Sequence, residues 1–148
     1  MSSFQSWLNK TKTGLQSQVS RFKNKDFLDA IVAGCAIVAV ADGTIDSTEQ
    51  QKMAGYIGRS EQLKSFNISE AIDRFKHHAG NMEFDVMVGK QEALRTIAKF
   101  KSKPEEARLI VGVCCAIGAA DGDFDDLEKA AVRDICNVLN LQPGEFGL

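Results

Sequence analysis

The sequence predicts an all-α fold, a compact single-domain bundle of about seven helices. Apolar residues recur at helical spacing along most of the chain, no segment alternates as a strand does, and one helix–acidic turn–helix unit occurs twice. The 148 residues form one domain, 1–148, with 44% apolar and 26% charged residues. No apolar run reaches the roughly 18 residues of a membrane span, and no secretory signal is visible, so we expect a cytoplasmic protein.

The leading segment, residues 1–23, is predicted to be a basic amphipathic helix. The first 25 residues carry five basic side chains and no acid, whereas the rest of the chain has a net charge of −7. This helix suits packing on the core, or contact of residues 4–22 with an anionic surface at the inner face of the membrane or with a membrane partner. Its apolar stripe comprises Phe4, Trp7, Leu8, Leu15, Val19 and Phe22.

Capping residues and helix-breaking residues predict where the later helices begin and end. Asn24 and Asp26 are candidate N-caps, and Pro104 with two following acids suits a first helical turn. The acidic body lacks the clustered basic residues of nucleic-acid binding. After the leading helix, the predicted helices span residues 26–41, 46–59, 61–66, 69–78, 84–101, 104–120 and 126–139.

An internal repeat at an offset of 79 residues is the most informative feature. The copies read GCAIVAVADGTIDSTEQQKM at 34–53 and VCCAIGAADGDFDDLEKAAV at 113–132. We therefore expect two helical hairpins that are related by a pseudo-twofold axis, with their acidic turns close together. The acidic residues that match in register are Asp42 with Asp121, Asp46 with Asp125, and Glu49 with Glu128.

The acidic turns match the second half of a calcium-binding EF-hand loop, but the first half excludes that site. Two ligand positions in each copy are aliphatic, and we expect these residues in the core instead. Two interpretations remain open: a structural joint with capping boxes at the following helices, and a cation site. The four aliphatic positions are Val38, Val40, Ile117 and Ala119.

The cation interpretation depends on Asp42 and Asp121, each placed where a helix ends. A carboxylate at that end opposes the helix dipole, and the same conflict occurs in both copies. Carboxylates beside exposed carbonyls suit hard cations, so a bound Ca²⁺, Mg²⁺ or Zn²⁺ would relieve the conflict. Without a cation, the acidic surface would be a docking face for a basic partner. The candidate metal ligands are Asp42, Asp46, Glu49, Asp121, Asp125 and Glu128.

Cysteines and histidines offer weaker candidates. The cysteines, which lie mostly in apolar helical runs, are expected to be structural thiols, and a thiol-based detoxifier is the alternative. We expect His77 and His78 to be a surface pair without catalytic partners, and no nucleophile constellation is apparent. The four cysteines are Cys35, Cys114, Cys115 and Cys136.

The paired ADGxφDxxE turns, the segment RFKNKDF and the ending GEFGL together resemble the TerB family of tellurite-resistance proteins. The resemblance implies a single domain of about seven helices that acts in resistance to tellurite and other stresses. It also implies a membrane-embedded, metal-transporter-like partner and calcium-binding partners, and a metal role for the six acidic residues above. We therefore expect a non-enzymatic adaptor or metal sensor, with the thiol-based detoxifier and a purely structural interaction module as alternatives.

Overall fold

Five α-helices and one 3-10 helix have complete bounds in the computed structural model, which describes residues 25–41, 51, 53–55, 67–119 and 124–148. Residues 51 and 53–55 are also helical, within the predicted helix 46–59. None of the described residues lies in a strand, which confirms the all-α class, and the number of helices is close to the expected seven. The helices are α1 (Lys25–Val40), α2 (Ile68–Phe84), α3 (Val86–Ala98), α4 (Pro104–Gly118), α5 (Asp126–Val138) and the 3-10 helix Pro143–Phe146.

Helix α1 is the centre of the core. Twelve of its 16 residues are buried, so this helix is apolar on nearly every side, as a helix surrounded by others must be. It packs against α2, α3, α4 and α5. Phe27, which is fully buried, contacts the ring of Phe100 edge to face at 5.9 Å.

The corner between α2 and α3 differs from the prediction. Asn67 caps α2 by accepting a hydrogen bond from Glu70 N at 3.1 Å, and the helix runs to Phe84 instead of ending at His78. Asp85 then serves both helices: its N–H donates to Asn81 O at 3.0 Å, and its carboxylate accepts from Val88 N at 3.0 Å. One residue therefore ends α2 and starts α3.

Two glycines allow close helix packing. A Cβ at Gly89 would lie 2.5–2.6 Å from backbone atoms of Asn81 and Met82, so α3 rests directly on the last turns of α2. A Cβ at Gly34 would overlap the Sγ of Cys114, so α1 and α4 also meet closely. Neither position has room for a side chain unless a neighbour moves.

Several predicted features lie outside the described residues. They include the leading helix at 1–23, the short helix at 61–66 and most of the first acidic turn. In both copies of the repeat, the described parts are helical before and after the turn. The pseudo-twofold relation between the copies stays a prediction.

Candidate functional site

The second acidic turn contains a complete capping box at the start of α5. The Asp125 carboxylate accepts a hydrogen bond from Glu128 N at 2.8 Å, and the Glu128 carboxylate accepts from Asp125 N at 3.1 Å. These bonds satisfy two backbone donors that a helix N-terminus otherwise leaves unpaired. The structural joint is therefore present in this copy, and each of the two bonds engages one carboxylate oxygen.

The apolar residue Phe124 packs the same turn against the core. A Cβ at Gly118 would lie 2.6 Å from Phe124 Cε2 and 3.5 Å from Val38 Cγ1, so the Phe124 ring packs over the end of α4 next to α1. The end of α4, the start of α5 and the last part of α1 are thus held together. This packing fixes the position of Asp125, the next residue in the chain.

The other candidate ligands, Asp42, Asp46, Glu49 and Asp121, lie outside the described residues. Helix α1 ends two residues before Asp42, at Val40, and α4 ends three residues before Asp121. Among the described residues, no group of three or more His, Cys, Asp or Glu side chains is arranged to hold a metal ion. The shared metal site stays a prediction.

Three of the four aliphatic positions of the failed EF-hand loops are described, and all three contact the core. Val38 is 4% exposed, and Val40 and Ala119 are half-buried against the core. The side chain of Ile117 lies outside the described part. These positions support the hydrophobic core, as the sequence predicts.

All four cysteines are reduced and buried. The Cys114 Sγ lies 3.6 Å from the Ile31 carbonyl oxygen, and its pKa is raised well above the usual range by a hydrogen bond with Cys35 and by burial. Burial also raises the pKa of Cys115, and it raises the pKa of Cys136 to about 12. These thiols stay protonated near neutral pH, and a protonated thiol is a poor nucleophile.

The expectation of a surface histidine pair is wrong for His78. His77 is exposed, but the His78 side chain is 2% exposed, and its Nε2 lies 2.8 Å from Asp29 Oδ1. Arg74 donates to both oxygens of Asp29, at 3.0 and 3.2 Å. His78 does have a partner, although its Nδ1 is buried without one.

This network sets the charge of Asp29. Burial alone would raise the pKa of this carboxyl group, but hydrogen bonds with His78 and Arg74 and the electrostatic interactions with both side chains outweigh that effect and lower it to about 2. One sequence signal could have revealed the network. His78 lies three residues after the buried Phe75 and seven after the buried Ala71, which places it on the inner face of α2.

A cleft of about 390 Å³ lies at the N-terminal end of α1. Lys25, Asp26, Lys99, Phe100 and Lys103 line it. The Lys103 ammonium lies 5.5 Å from the centroid of the Phe100 ring. The basic character that the sequence predicts for the start of the chain therefore continues into the described residues.

The described residues bear on one of the two membrane predictions, the one that concerns a membrane-spanning helix. Within the described ranges, no helix combines the length and the apolar character that crossing a bilayer requires. The predicted contact surface, residues 4–22, lies outside those ranges.

Comparison with known proteins connects this fold to a family. The family model described as "Tellurite resistance protein TerB" matches residues 28–148. A curated relative, "Tellurium resistance protein TerB" from Alcaligenes sp, is 42% identical over 102 residues, which cover 68% of this chain and 84% of the relative. No solved structure matches. The chain belongs to the TerB family of tellurite resistance proteins.

Proposed function

We propose that this protein acts in tellurite resistance as a non-enzymatic cytoplasmic adaptor that binds a divalent cation and docks to a membrane-associated resistance complex. Family membership supports the role in resistance. The burial of all four thiols favours a binding role over direct thiol chemistry.

The burial of the cysteines disfavours a direct reaction of their thiols with tellurite. A thiol that reacts with an oxyanion such as tellurite must meet it in water and react as a thiolate. Cys114, Cys115 and Cys136 are at most 1% exposed and have raised pKa values. Cys35, at 6% exposure, packs in the same core. Reaction would require the core to open, which makes thiol-based detoxification the less favoured mechanism.

The cation site would be formed by the two acidic turns together. One turn supplies too few oxygens for a six- to eight-coordinate ion, whereas two turns suffice. The capping box supports a fixed position for the second turn, because it holds Asp125 and Glu128 at the start of α5. The proposed ligands are Asp42, Asp46, Glu49, Asp121, Asp125 and Glu128, with the identity of the ion (Ca²⁺, Mg²⁺ or Zn²⁺) open.

The proposed partners are a membrane-embedded resistance protein and calcium-binding resistance proteins. An acidic protein surface supports binding to basic segments of such partners. Residues 4–22 supply a second, basic surface in the sequence, suited to peripheral contact at the inner face of the membrane.

Thermal melts of the full chain test the cation site. We expect millimolar Ca²⁺, Mg²⁺ or Zn²⁺ to raise the melting temperature relative to EDTA, since a ligand at 100 times its dissociation constant adds about 2.7 kcal/mol. That gain corresponds to roughly 5–10 °C for a domain of this size. Asp42→Asn and Asp121→Asn should each remove most of the gain without lowering the melting temperature in EDTA.

The capping residue Asp125 tests the structural joint. Asp125→Ala should cost about 1 kcal/mol in EDTA because it removes a helix cap, whether or not an ion binds. If no cation shifts the wild-type melt, the shared metal site is wrong, and the acidic surface is a docking face alone. Thiol titration of the native chain tests the other mechanism: fast labelling of any cysteine would favour the detoxifier.

A further inference from the structure

Five large apolar side chains are exposed around the α2–α3 corner and the start of α5. Phe84 is 94% exposed and Met87 is 76% exposed, and the other three are more than half exposed. Side chains this exposed contribute little buried area to the fold, and several large apolar side chains exposed near one another are typical of binding surfaces. This apolar patch comprises Phe84, Val86, Met87, Val88 and Leu127.

The patch continues into a groove of about 230 Å³. Val86 on α3 and Leu127 on α5 belong to both, and the groove also includes Met82 and the end of α1 at Val40 and Ala41. Helices α3 and α5 form its two walls, with small side chains, Ala130 and Ala131, along the α5 wall. A groove between two helices, lined by small and aliphatic residues, fits the apolar face of another helix.

Exposed acidic residues lie next to patch residues along the chain. Glu83 and Asp85 flank Phe84 in sequence, and Asp126 precedes Leu127. Lys90 also lines the groove, but its ammonium lies 2.7 Å from the carboxylate of Asp134, which neutralises it. The groove reaches Ala41, the residue before Asp42, so it adjoins the start of the first acidic turn.

We propose that the apolar patch and the groove bind a basic amphipathic helix of a partner protein. Apolar residues of that helix, spaced at i, i+3 or i+4 and i+7, fill the groove and contact Phe84 and Met87, while its Lys and Arg residues meet the flanking acids. An anionic membrane is the poorer occupant, because the same acids would repel its surface. This inference rests on the proposed adaptor function and names its docking face.

The test uses the full chain in EDTA and a synthetic 18-residue peptide with leucines at i, i+3, i+4 and i+7 and lysines on the flanks. Its matched control has the same leucines and glutamates in place of the lysines. Fluorescence anisotropy should show saturable binding of the lysine peptide, weakened by salt, and little binding of the glutamate peptide. Amide shifts in NMR spectra should concentrate at the α2–α3 corner and the start of α5.

Surface variants locate the site. Phe84→Ser and Met87→Ser should each weaken binding of the lysine peptide by about tenfold or more, since exposed aromatic and methionine anchors dominate such interfaces. Both variants should keep the wild-type melting temperature. Ile68→Ser is the control: Ile68 is 38% exposed at the other end of α2, and its replacement should leave the affinity unchanged.

Four outcomes would overturn the proposal. They are no binding of the lysine peptide, equal binding of both peptides, Phe84-dependent binding to anionic vesicles instead of the peptide, and Phe84-dependent self-association of the chain in sedimentation experiments. Because EDTA removes divalent cations, failure here is distinguishable from failure of the cation site, which the thermal melts detect separately.

Discussion

Replacing Asp29 with alanine should destabilise the fold more than any exposed ion pair can. Asp29 lies on α1, and it accepts hydrogen bonds from Arg74 on α2 and contacts the nearly fully buried His78. The substitution would leave both His78 nitrogens unpaired in the core, because Nδ1 has no partner in the native fold. A buried polar group without a partner carries its full desolvation penalty.

The magnitude has two parts. The pKa of Asp29 falls from 3.8 to about 2, and this shift corresponds to a stabilisation of the folded state of about 2.5 kcal/mol. Solvent screening at the partly exposed Arg74 reduces this contribution to roughly 1–2 kcal/mol. The unpaired His78 nitrogen adds about 1–3 kcal/mol. We therefore expect Asp29→Ala to lower the free energy of unfolding by about 2–5 kcal/mol.

Urea unfolding of the full chain at pH 7 measures this loss, and pH supplies a second test. A depressed carboxyl pKa stabilises the fold above the unfolded value near 3.8, and this contribution is lost as the pH falls toward about 2. The part of the difference between wild type and Asp29→Asn that this carboxylate supplies should therefore shrink as the pH falls below about 4. Glu145→Ala, which breaks the exposed pair with Arg108, is the control and should cost less than about 1 kcal/mol. If Asp29→Ala lowers the free energy of unfolding by no more than Glu145→Ala does, the reasoning is refuted.

Four further predictions concern packing, and chemical denaturation measures each of them. Gly80→Ala should stabilise the fold by about 0.5–1 kcal/mol, because Gly80 lies inside α2 with open space where its Cβ would be. Gly89→Ala should destabilise the fold by about 1–3 kcal/mol, since the added Cβ would meet the backbone of α2. A gain of stability in Gly89→Ala would contradict the close packing of α3 on α2. Gly34→Ala should also be destabilising, by a similar amount, unless Cys114 can move aside, and Gly34→Ala combined with Cys114→Ala should recover much of the loss. Val38→Asp should cost several kcal/mol, because it buries an unpaired charge; wild-type stability would show that Val38 is not a core position.

The sequence predicted the helices best where a cap or a break marks an end. The predicted starts of α1, α4 and α5 agree with the structure to within one residue, and Asp26, Pro104 and Asp125 lie in or next to their first turns. The prediction for α2 was six residues short at its C-terminus. Its end is set by Asp85, which caps two helices at once, a double role that spacing alone does not reveal.

The side-chain network was missed because its members are distant in sequence. Asp29 lies in a mostly apolar helix, 49 residues before His78, and nothing local connects them. His78 was expected at the surface, and no role was predicted for Asp29. The exposure of Phe84 was equally hidden, because a phenylalanine at a helix end suggests burial. Contacts between helices decide both cases, and a single sequence does not contain them.

The arrangement around α1 separates the proposed binding surfaces from the thiols. This 16-residue helix is about 24 Å long, with Lys25 and the lysine-lined cleft at one end and Val40 with the apolar groove at the other. The cysteines lie in the core between helices, where their contacts stabilise the bundle and keep them from solvent. A basic surface and an acidic, partly apolar surface thus occupy opposite ends of one rigid helix. The proposed function therefore assigns two partners of opposite charge to surfaces that share no residues, as an adaptor requires.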